Sequence, residues 1–288
     1  MTARSIMLIG GPDSGKTNYS VCLCKALESG HGKLVAPSLS DDITYIEELL
    51  AHLLQGSFAP RSDTNLDEGR RDFIIPIALA ETPKTRLAKI IVPDVSGELW
   101  KKAVETTELP SEWMDQLKQS DGALLFVRVL SDQNVAPLDW VTANRLLKLT
   151  SNNDDEELDN IPTQISLLEL LRFLECALKP TNDDSLPRVA VLVTAWDMLD
   201  KERSIAGPSA YLQAEYSLFA GRLKDTSKLD VRVFGVSSLG GDLSNDAAFR
   251  DKFMDGELDD AGYVVTEEEG EITKIHDLTL PLAWIIGG

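Results

Sequence analysis

The stretch that most constrains this chain is Gly10-Gly11-Pro12-Asp13-Ser14-Gly15-Lys16-Thr17. It fits G-x-x-x-x-G-K-[ST], a loop whose backbone N–H groups wrap the phosphates of a nucleoside triphosphate. The flanks are what such a loop needs. Ile6-Met7-Leu8-Ile9 reads as a buried strand running straight into it. Residues 16–28 read as a helix, with Val21, Leu23, Cys24, Ala26 and Leu27 available for its buried side. A helix N-terminus directly after the loop adds its own partial positive charge at the phosphates. An ordinary glycine-rich turn with a helix-capping residue is the bland alternative, and the strand and helix on either side argue against it.

Each residue type in the loop has a task. Gly10 and Gly15 permit close approaches and backbone angles that a Cβ would block. Lys16 is placed to reach the β- and γ-phosphates as a point charge. Thr17 offers a hydroxyl to a magnesium ion bridging those phosphates. Gly11, Pro12, Asp13, Ser14 and Asn18 complete the phosphate-lining stretch.

The 288 residues suffice for one large α/β domain or two small ones, and the 43% hydrophobic and 26% charged fractions are those of a soluble globular chain. No apolar stretch approaches the length needed to span a bilayer, and the N-terminus lacks a signal-peptide pattern. The cysteines Cys22, Cys24 and Cys176 form no metal-type spacing, and their low, odd count fits a reducing cytoplasm. Cys22 and Cys24 fall on different sides of the first helix, as small core or boundary residues. A net charge of −19 argues against nucleic acid and anionic membranes as partners, since phosphates would be repelled over most of the surface.

Beyond the first helix, apolar strands alternate with amphipathic helices. Residues 32–36 give a short extended piece, and 43–55 a helix with Ile46, Leu49, Leu50, Leu53 and Leu54 on one face. A loop at 56–71 holds Arg61, Ser62, Thr64, Arg70 and Arg71, and 73–79 with 87–92 reads as a strand hairpin. Residues 99–120 read as helical with an interruption at Pro110, 123–129 as a buried strand, 154–157 as a solvated acidic run and 163–178 as a buried helix. Then come a strand at 189–193, a helix at 211–222, a strand at 231–236, an acidic insertion or flexible excursion at 242–277 and a short helix at 278–286. This order predicts a three-layer α/β/α fold with a mostly parallel sheet, one antiparallel edge strand, and the ligand at the strands' C-terminal ends.

Further motifs end strands. Pro93-Asp94-Val95-Ser96-Gly97-Glu98 contains D-x-x-G, which a phosphate-loop NTPase uses beside the phosphates: the Asp holds a magnesium-bound water and the Gly N–H meets the γ-phosphate. Alone, D-x-x-G is often just a turn; after an apolar strand and downstream of the phosphate loop it carries weight. Thr194-Ala195-Trp196-Asp197 and Ser237-Ser238-Leu239-Gly240-Gly241 follow the last two clear strands. All of these converge on one sheet edge.

In this order the motifs resemble the Ras-like, TRAFAC-class GTPases over most of the chain. Gly10–Thr17 matches their phosphate (Walker A) loop, Asp94–Gly97 their second switch, Thr194–Asp197 their guanine-reading motif and Ser237-Ser238-Leu239 their last base-contacting loop. The long insertions, the glutamate after the D-x-x-G glycine and the ending Pro281-Leu282-Ala283-Trp284-Ile285-Ile286 look most like the bacterial double-GTPase group, which is associated with conflict or regulatory systems. The resemblance implies one GTPase-like domain over residues 1–288, with insertions near 33–60, 130–162 and 242–277. It implies GTP/GDP and Mg2+ as ligands, and a protein effector or activating protein as partner. Carried over, Lys16 and Thr17 hold phosphate and metal, Asp94 supports the metal through water, and Gly97 senses the γ-phosphate. Asp197 accepts from guanine N1 and N2, and Ser237 with Ser238 closes over the base. Thr64 is the first choice, and Ser62 the second, to complete the magnesium shell.

The departures matter. Ala195 replaces the lysine whose stem packs along the base in the usual N/T-K-x-D motif, so guanine preference is less secure than triphosphate binding. Trp196 fits the core better than a stacking role. Glu98 stands where many relatives have a water-orienting glutamine. It either orients water, with its charge unfavourable near the γ-phosphate and hydrolysis slow, or is an acid stabilised by the helix dipole. Arg61, Arg70 and Arg71 are candidates for a charge-stabilising arginine, and more often such residues are solvated or touch partners. The expected activity is slow, magnesium-dependent GTP hydrolysis by a molecular switch. The rivals are an ATPase on the same loop and a non-catalytic nucleotide-binding interaction module.

Overall fold

Strand β1 (Arg4–Ile9) runs through the interior of a nine-stranded sheet, where side chains on both its faces find cover. The computed structural model describes residues 4–36, 50–53, 55, 72–81, 87–93, 97–137, 161–180, 185–243, 245–255 and 262–287. The other strands are β2 (Leu34–Val35), β3 (Asp72–Leu79), β4 (Leu87–Pro93), β5 (Gly122–Arg128), β6 (Arg188–Thr194), β7 (Asp230–Ser237), β8 (Tyr263–Glu268) and β9 (Glu271–Ile275). They lie in the order β2-β3-β4-β1-β5-β6-β7-β8-β9. From β4 to β7 every neighbour is parallel, and β3 pairs antiparallel with β4. The run from β3 to β7 is the expected mostly parallel sheet with one antiparallel strand.

The sheet continues past both ends of that run. The two-residue β2 pairs antiparallel with β3, and the β8–β9 hairpin pairs antiparallel with β7. Within the stretch 242–277, read from its acidic composition as an insertion or flexible excursion, the described residues hold a helix at Ala247–Asp255 and the β8–β9 hairpin. Tyr263, Val264 and Val265 are buried while residues 268–271 are exposed, so the acids cap a hairpin whose root is apolar. Glu269 (φ 51°) and Gly270 (φ 85°) form its tight turn, both left-handed as a two-residue hairpin loop between twisted strands requires.

Alternation along the strands feeds two cores. Ile6, Leu8, Leu124, Phe126, Leu192 and Phe234 face helix α1 (Lys16–Ser29), with the C-terminal helix Leu280–Ile286 against the same side. Met7, Ile9, Leu125, Val127, Val191 and Val193 face the other layer. That layer includes α2 (Gly97–Thr106), α3 (Ser111–Gln119) and α4 (Thr163–Ala177); the short α5 (Lys201–Ala206), which buries no side chain, leads into α6 (Pro208–Glu215) and α7 (Ser217–Asp225), which join it. α8 (Ala247–Asp255) and α9 (Leu280–Ile286) follow. The result is a three-layer α/β/α arrangement.

Where one helix was expected at 211–222, the structure has two. The chain breaks at Tyr216 (φ −134°, ψ 57°), whose ring is buried against Tyr211. The bend lets Tyr211 and Leu212 on one helix and Phe219 and Ala220 on the next all reach the same core. The buried Gln164 carbonyl accepts from Leu218 N at 3.2 Å, taking up an N–H that the first turn of α7 would leave without a partner. Among the described residues no helix is long and apolar enough to cross a membrane.

Candidate functional site

Because β1, β4, β6 and β7 are mutually parallel, the segments that follow them meet at one edge of the sheet. The loop after β1 turns sharply there. Asp13 has φ 59° and Gly15 φ 88°, and Gly15 is the residue from which α1 starts. A Cβ on Gly15 would sit 3.2 Å from Thr194 Oγ1, so glycine answers both the dihedral and the space. Lys16 folds back over the loop: its Nζ donates to the carbonyls of Gly10 at 2.7 Å and Gly11 at 2.8 Å and to Ser14 Oγ at 3.0 Å. These contacts hold an ammonium at the rim of the loop. Thr17 and Asn18 follow in the first turn of α1, both half-buried.

Contacts that local spacing does not reveal fix the loop. Thr194, at the end of β6, donates its hydroxyl to the Ser14 carbonyl at 2.8 Å, with both residues buried. Arg128, at the end of β5, donates to the Asp13 carboxylate and, at 3.3 Å, to its carbonyl, while Ser131 Oγ donates to the other carboxylate oxygen at 3.1 Å. A carboxylate beside a phosphate site would repel its ligand; here its charge is met by a guanidinium. Arg128 is a polar residue ending an otherwise apolar strand, and that was its one signal in the sequence.

The remaining motifs approach from the sides. Gly97 opens α2 against the loop itself: a Cβ there would lie 2.4 Å from Pro12 N and 2.6 Å from Gly11 C. Its neighbour Glu98 is exposed in the first turn of α2. Asp94, Thr64, Ser62, Arg61, Arg70, Arg71 and the acidic run 154–157 lie outside the described residues, as does most of the helix expected at 43–55, of which residues 50–53 are helical.

On the other side of the loop, Ala195 takes a left-handed conformation (φ 56°) and starts a tight turn over Trp196–Met198 that carries half-buried Asp197. Trp196 is 1% exposed, with its ring over Gly235 and edge-on to Tyr211, so it belongs to the core. Ser237 is fully buried, and its Oγ accepts from Gly240 N at 2.8 Å, closing the loop after β7; Ser238 is half-buried beside it.

Tyr263, which sequence reasoning passed over, stands opposite Ser237 in the β7–β8 register. Burial pushes its phenol up to about 12, the Asp197 charge adds to the rise, and hydrogen bonding with the Ser237 side chain pulls it back. Lys274 Nζ lies 3.7 Å from the centre of its ring. Tyr263 thus pairs with Ser237 in both register and side-chain hydrogen bonding, and it lies within the electrostatic reach of Asp197. The segment after the hairpin holds α1: Tyr19 donates to Leu278 O at 2.9 Å, and Asp277 and Thr279 accept from Lys33 N and Leu34 N.

The donor set suits a hard cation held mainly by phosphate oxygens. Thr17 supplies a hydroxyl beside the loop, and among the described residues no cluster of three His, Cys, Asp or Glu side chains could hold a metal by itself.

A family model described as DO-GTPase1, Double-GTPase 1, matches residues 7–285. No curated protein sequence matches the chain. Among solved structures, similarity is found to a signal recognition particle receptor SRb-GTP/SRX complex from Chaetomium thermophilum, with 14% identity, 88% of this chain and 98% of that one covered, and a TM-score of 0.42. A bacterial selenocysteine-specific elongation factor EF-Sec is similar at 12% identity, 90% and 30% coverage, and a TM-score of 0.37. The Saccharomyces cerevisiae Ski7 GTPase-like domain, bound to GDP and inorganic phosphate, is similar at 12% identity, 82% and 43% coverage, and a TM-score of 0.40. The chain thus spans under half of the elongation factor and Ski7 chains. Likenesses this loose carry no argument about function.

Proposed function

The chain belongs to the Double-GTPase 1 family, and on that footing we propose that it is a magnesium-dependent molecular switch that binds GTP and hydrolyses it slowly. Family membership makes it a GTPase with a guanine nucleotide as ligand. The observation that carries the finer reading is the Lys16 ammonium held at the rim of a strand–loop–helix phosphate cradle, on the same sheet edge as Asp197 and Ser237.

In this reading Gly10 to Asn18 surround the phosphates, with Lys16 neutralising the charge that builds on them during hydrolysis. Thr17, with the expected Thr64 and, through water, Asp94, would hold a magnesium ion, which would supply further positive charge at the phosphates. Gly97, seated on Gly11 and Pro12, is positioned to report the γ-phosphate to α2. Exposed Glu98 either orients water or serves as a helix-end acid, and both roles fit slow turnover. Asp197 accepts from the guanine edge, and Ser237 and Ser238 close over the base. The loops around Thr64 and Asp94 to Glu98 are held by the γ-phosphate and released after hydrolysis.

The reading takes residues 1–288 as one domain with insertions and places it in the cytoplasm, which the free thiols of Cys22, Cys24 and Cys176 favour. With a net charge of −19, the fitting partner is a protein effector or activator rather than a nucleic acid, in a bacterial regulatory or conflict system. The test is equilibrium binding of fluorescent GDP, GTP, ADP and ATP analogues, with and without magnesium, to wild type, Lys16→Ala and Asp197→Ala. Wild type should prefer guanine, Lys16→Ala should lose tight triphosphate binding, and Asp197→Ala should lose the preference. Micromolar GTP binding retained by Lys16→Ala refutes the site. Adenine preference makes the protein an ATPase and Thr194–Asp197 a structural strand end.

A further inference from the structure

Among the described residues β9 is the last strand of its side of the sheet, and its outer edge faces no further strand. It pairs with β8 without a bulge, from Glu268↔Glu271 to Val264↔Ile275. The two-residue turn at Glu269 and Gly270 makes Glu268 and Glu271 a hydrogen-bonded pair, and antiparallel alternation repeats that pairing at Thr266–Thr273 and Val264–Ile275. Ile272 and Lys274 fall between these pairs, so their N–H and C=O groups point away from β8. None of the four has a hydrogen-bond partner among the described residues. An open edge of this kind is a template for another strand, and proteins guard it with proline, a bulge or an outward lysine. β9 has neither proline nor bulge. Its lysine is folded back onto the sheet: Lys274 Nζ lies 3.7 Å from the centre of the Tyr263 ring, and Tyr263 is 8% exposed.

Two further features lie beside this edge. Helix α5 buries none of its side chains, and its Ile205 is 62% exposed. Two residues on, a Cβ on Gly207 would sit 2.9 Å from Ile272 Cδ1, so Ile272 carries the apolar surface of α5 across to β9. The hairpin tip is acidic. Glu268, Glu269 and Glu271 are all exposed there; Arg232 meets Glu268, and among the described residues no basic group meets Glu269 or Glu271. We propose that β9 is a docking edge for an extended segment of a partner protein, which adds a strand to the sheet, sets an aliphatic side chain on Ile205 and Ile272, and brings a lysine or arginine to Glu269 and Glu271. Main-chain bonds to Ile272 and Lys274 supply attachment, and the aliphatic and basic side chains supply selectivity. A second copy of this chain fits worse. Antiparallel pairing of two β9 strands through Ile272 and Lys274 sets Glu269 of one copy beside Asp277 of the other, and each copy carries a net charge of −19. The proposal is independent of the nucleotide reading, since no residue of this edge belongs to the phosphate loop or to the segments that follow β6 and β7.

The test titrates the full chain, nitrogen-labelled at its isoleucine and lysine amides, with the peptide Lys-Val-Thr-Val-Thr-Val-Lys. A lysine at each end brings one to the hairpin tip in either strand direction, and peptide at up to about 1 mM makes even a millimolar Kd visible. The Ile272 and Lys274 amide protons should move downfield and exchange more slowly with solvent, while Ile275, already bonded to β8, keeps its shift and its exchange rate. The same peptide with glutamate at both ends should bind about tenfold more weakly, an attraction having been exchanged for a repulsion. A peptide methylated on every backbone nitrogen should not bind. Lys274→Pro removes one outward N–H and leaves the ladder to β8, so it should weaken binding about tenfold. If that variant does not fold, Glu269→Lys with Glu271→Lys decides, by reversing the preference between the two charged peptides. No shift at Ile272 and Lys274, or equal binding of the methylated peptide, overturns the docking edge, and equal affinity for the two charged peptides overturns the basic partner. Slow exchange of these two amides in the protein alone overturns the proposal as well: slowing that grows with protein concentration assigns the edge to a second copy, and slowing at every concentration assigns it to another segment of this chain.

Discussion

Thr194→Val isolates a single hydroxyl that ties the end of β6 to the loop after β1. Thr194 Oγ1 donates to the Ser14 carbonyl at 2.8 Å, and the two residues are 3% and 6% exposed. Valine keeps the shape and removes only the donor, so no cavity opens. The Ser14 carbonyl is then left buried without its partner, and water has little access to replace it. A buried acceptor stranded in this way is unfavourable by about 1–3 kcal/mol, and the enclosure of both residues argues for the middle of that range, about 2 kcal/mol. Urea unfolding of the nucleotide-free protein should show that loss as a lower midpoint with an unchanged slope. Because Ser14 lies between Asp13 and Gly15 in the cradle, the freed peptide also loosens the loop, and GDP affinity should fall roughly tenfold. Thr194→Ser is the control: it keeps the donor and drops only a methyl group, so it should lose less than about 1 kcal/mol and bind GDP like wild type. A Thr194→Val protein as stable as wild type, or a Thr194→Ser protein as damaged as Thr194→Val, refutes the reasoning, the second because it moves the effect from the hydroxyl to the methyl.

Other outcomes follow from the same geometry. Arg128→Ala should weaken GTP-analogue binding by leaving the Asp13 carboxylate uncompensated, and adding Asp13→Asn should restore most of it. For a pair 29% and 20% exposed, a double-mutant titration should give a coupling of about 1 kcal/mol. Tyr263→Phe removes the phenol that hydrogen-bonds with the Ser237 side chain; GDP affinity should drop about tenfold while ADP affinity stays as it was, and an equal loss for both nucleotides would reduce Tyr263 to a packing residue. Burial pushes the Cys22 and Cys24 thiols up to about 12 each, above their unfolded value. The folded state therefore keeps protons that the unfolded chain loses, so stability is full below about pH 9 and falls as pH rises toward 12. The slope is at most about 1.4 kcal/mol per pH unit for each thiol. Urea midpoints between about pH 9 and 10 should fall less steeply for Cys22→Ala than for wild type, and parallel curves would show that the thiol is not the titrating group.

The phosphate loop was legible in the sequence because everything it needs is local. An apolar run sets β1, glycine permits the turn at Gly15, and helical periodicity sets α1, all within 26 consecutive residues from Arg4 to Ser29. The convergence of Asp197 and Ser237 on the same edge was legible too, since alternating strands and helices force parallel pairing and place every strand's C-terminal end together. Trp196 was read as core from its place at a strand end, and it is buried there. The extra hairpin was not legible, because its acids advertised a solvated loop while its buried face is only the short run Tyr263-Val264-Val265. What tertiary structure alone decided are the pairings that make the loop a site. Arg128 meets Asp13 across 115 positions and Thr194 meets Ser14 across 180, while Tyr263 reaches Ser237 only because β8 turns back along β7. Such contacts depend on which strand lies beside which, and local sequence carries no record of strand order. The chemistry of the cradle is written in eight consecutive residues, Gly10 to Thr17; its shape is held by side chains that only the assembled sheet brings to it.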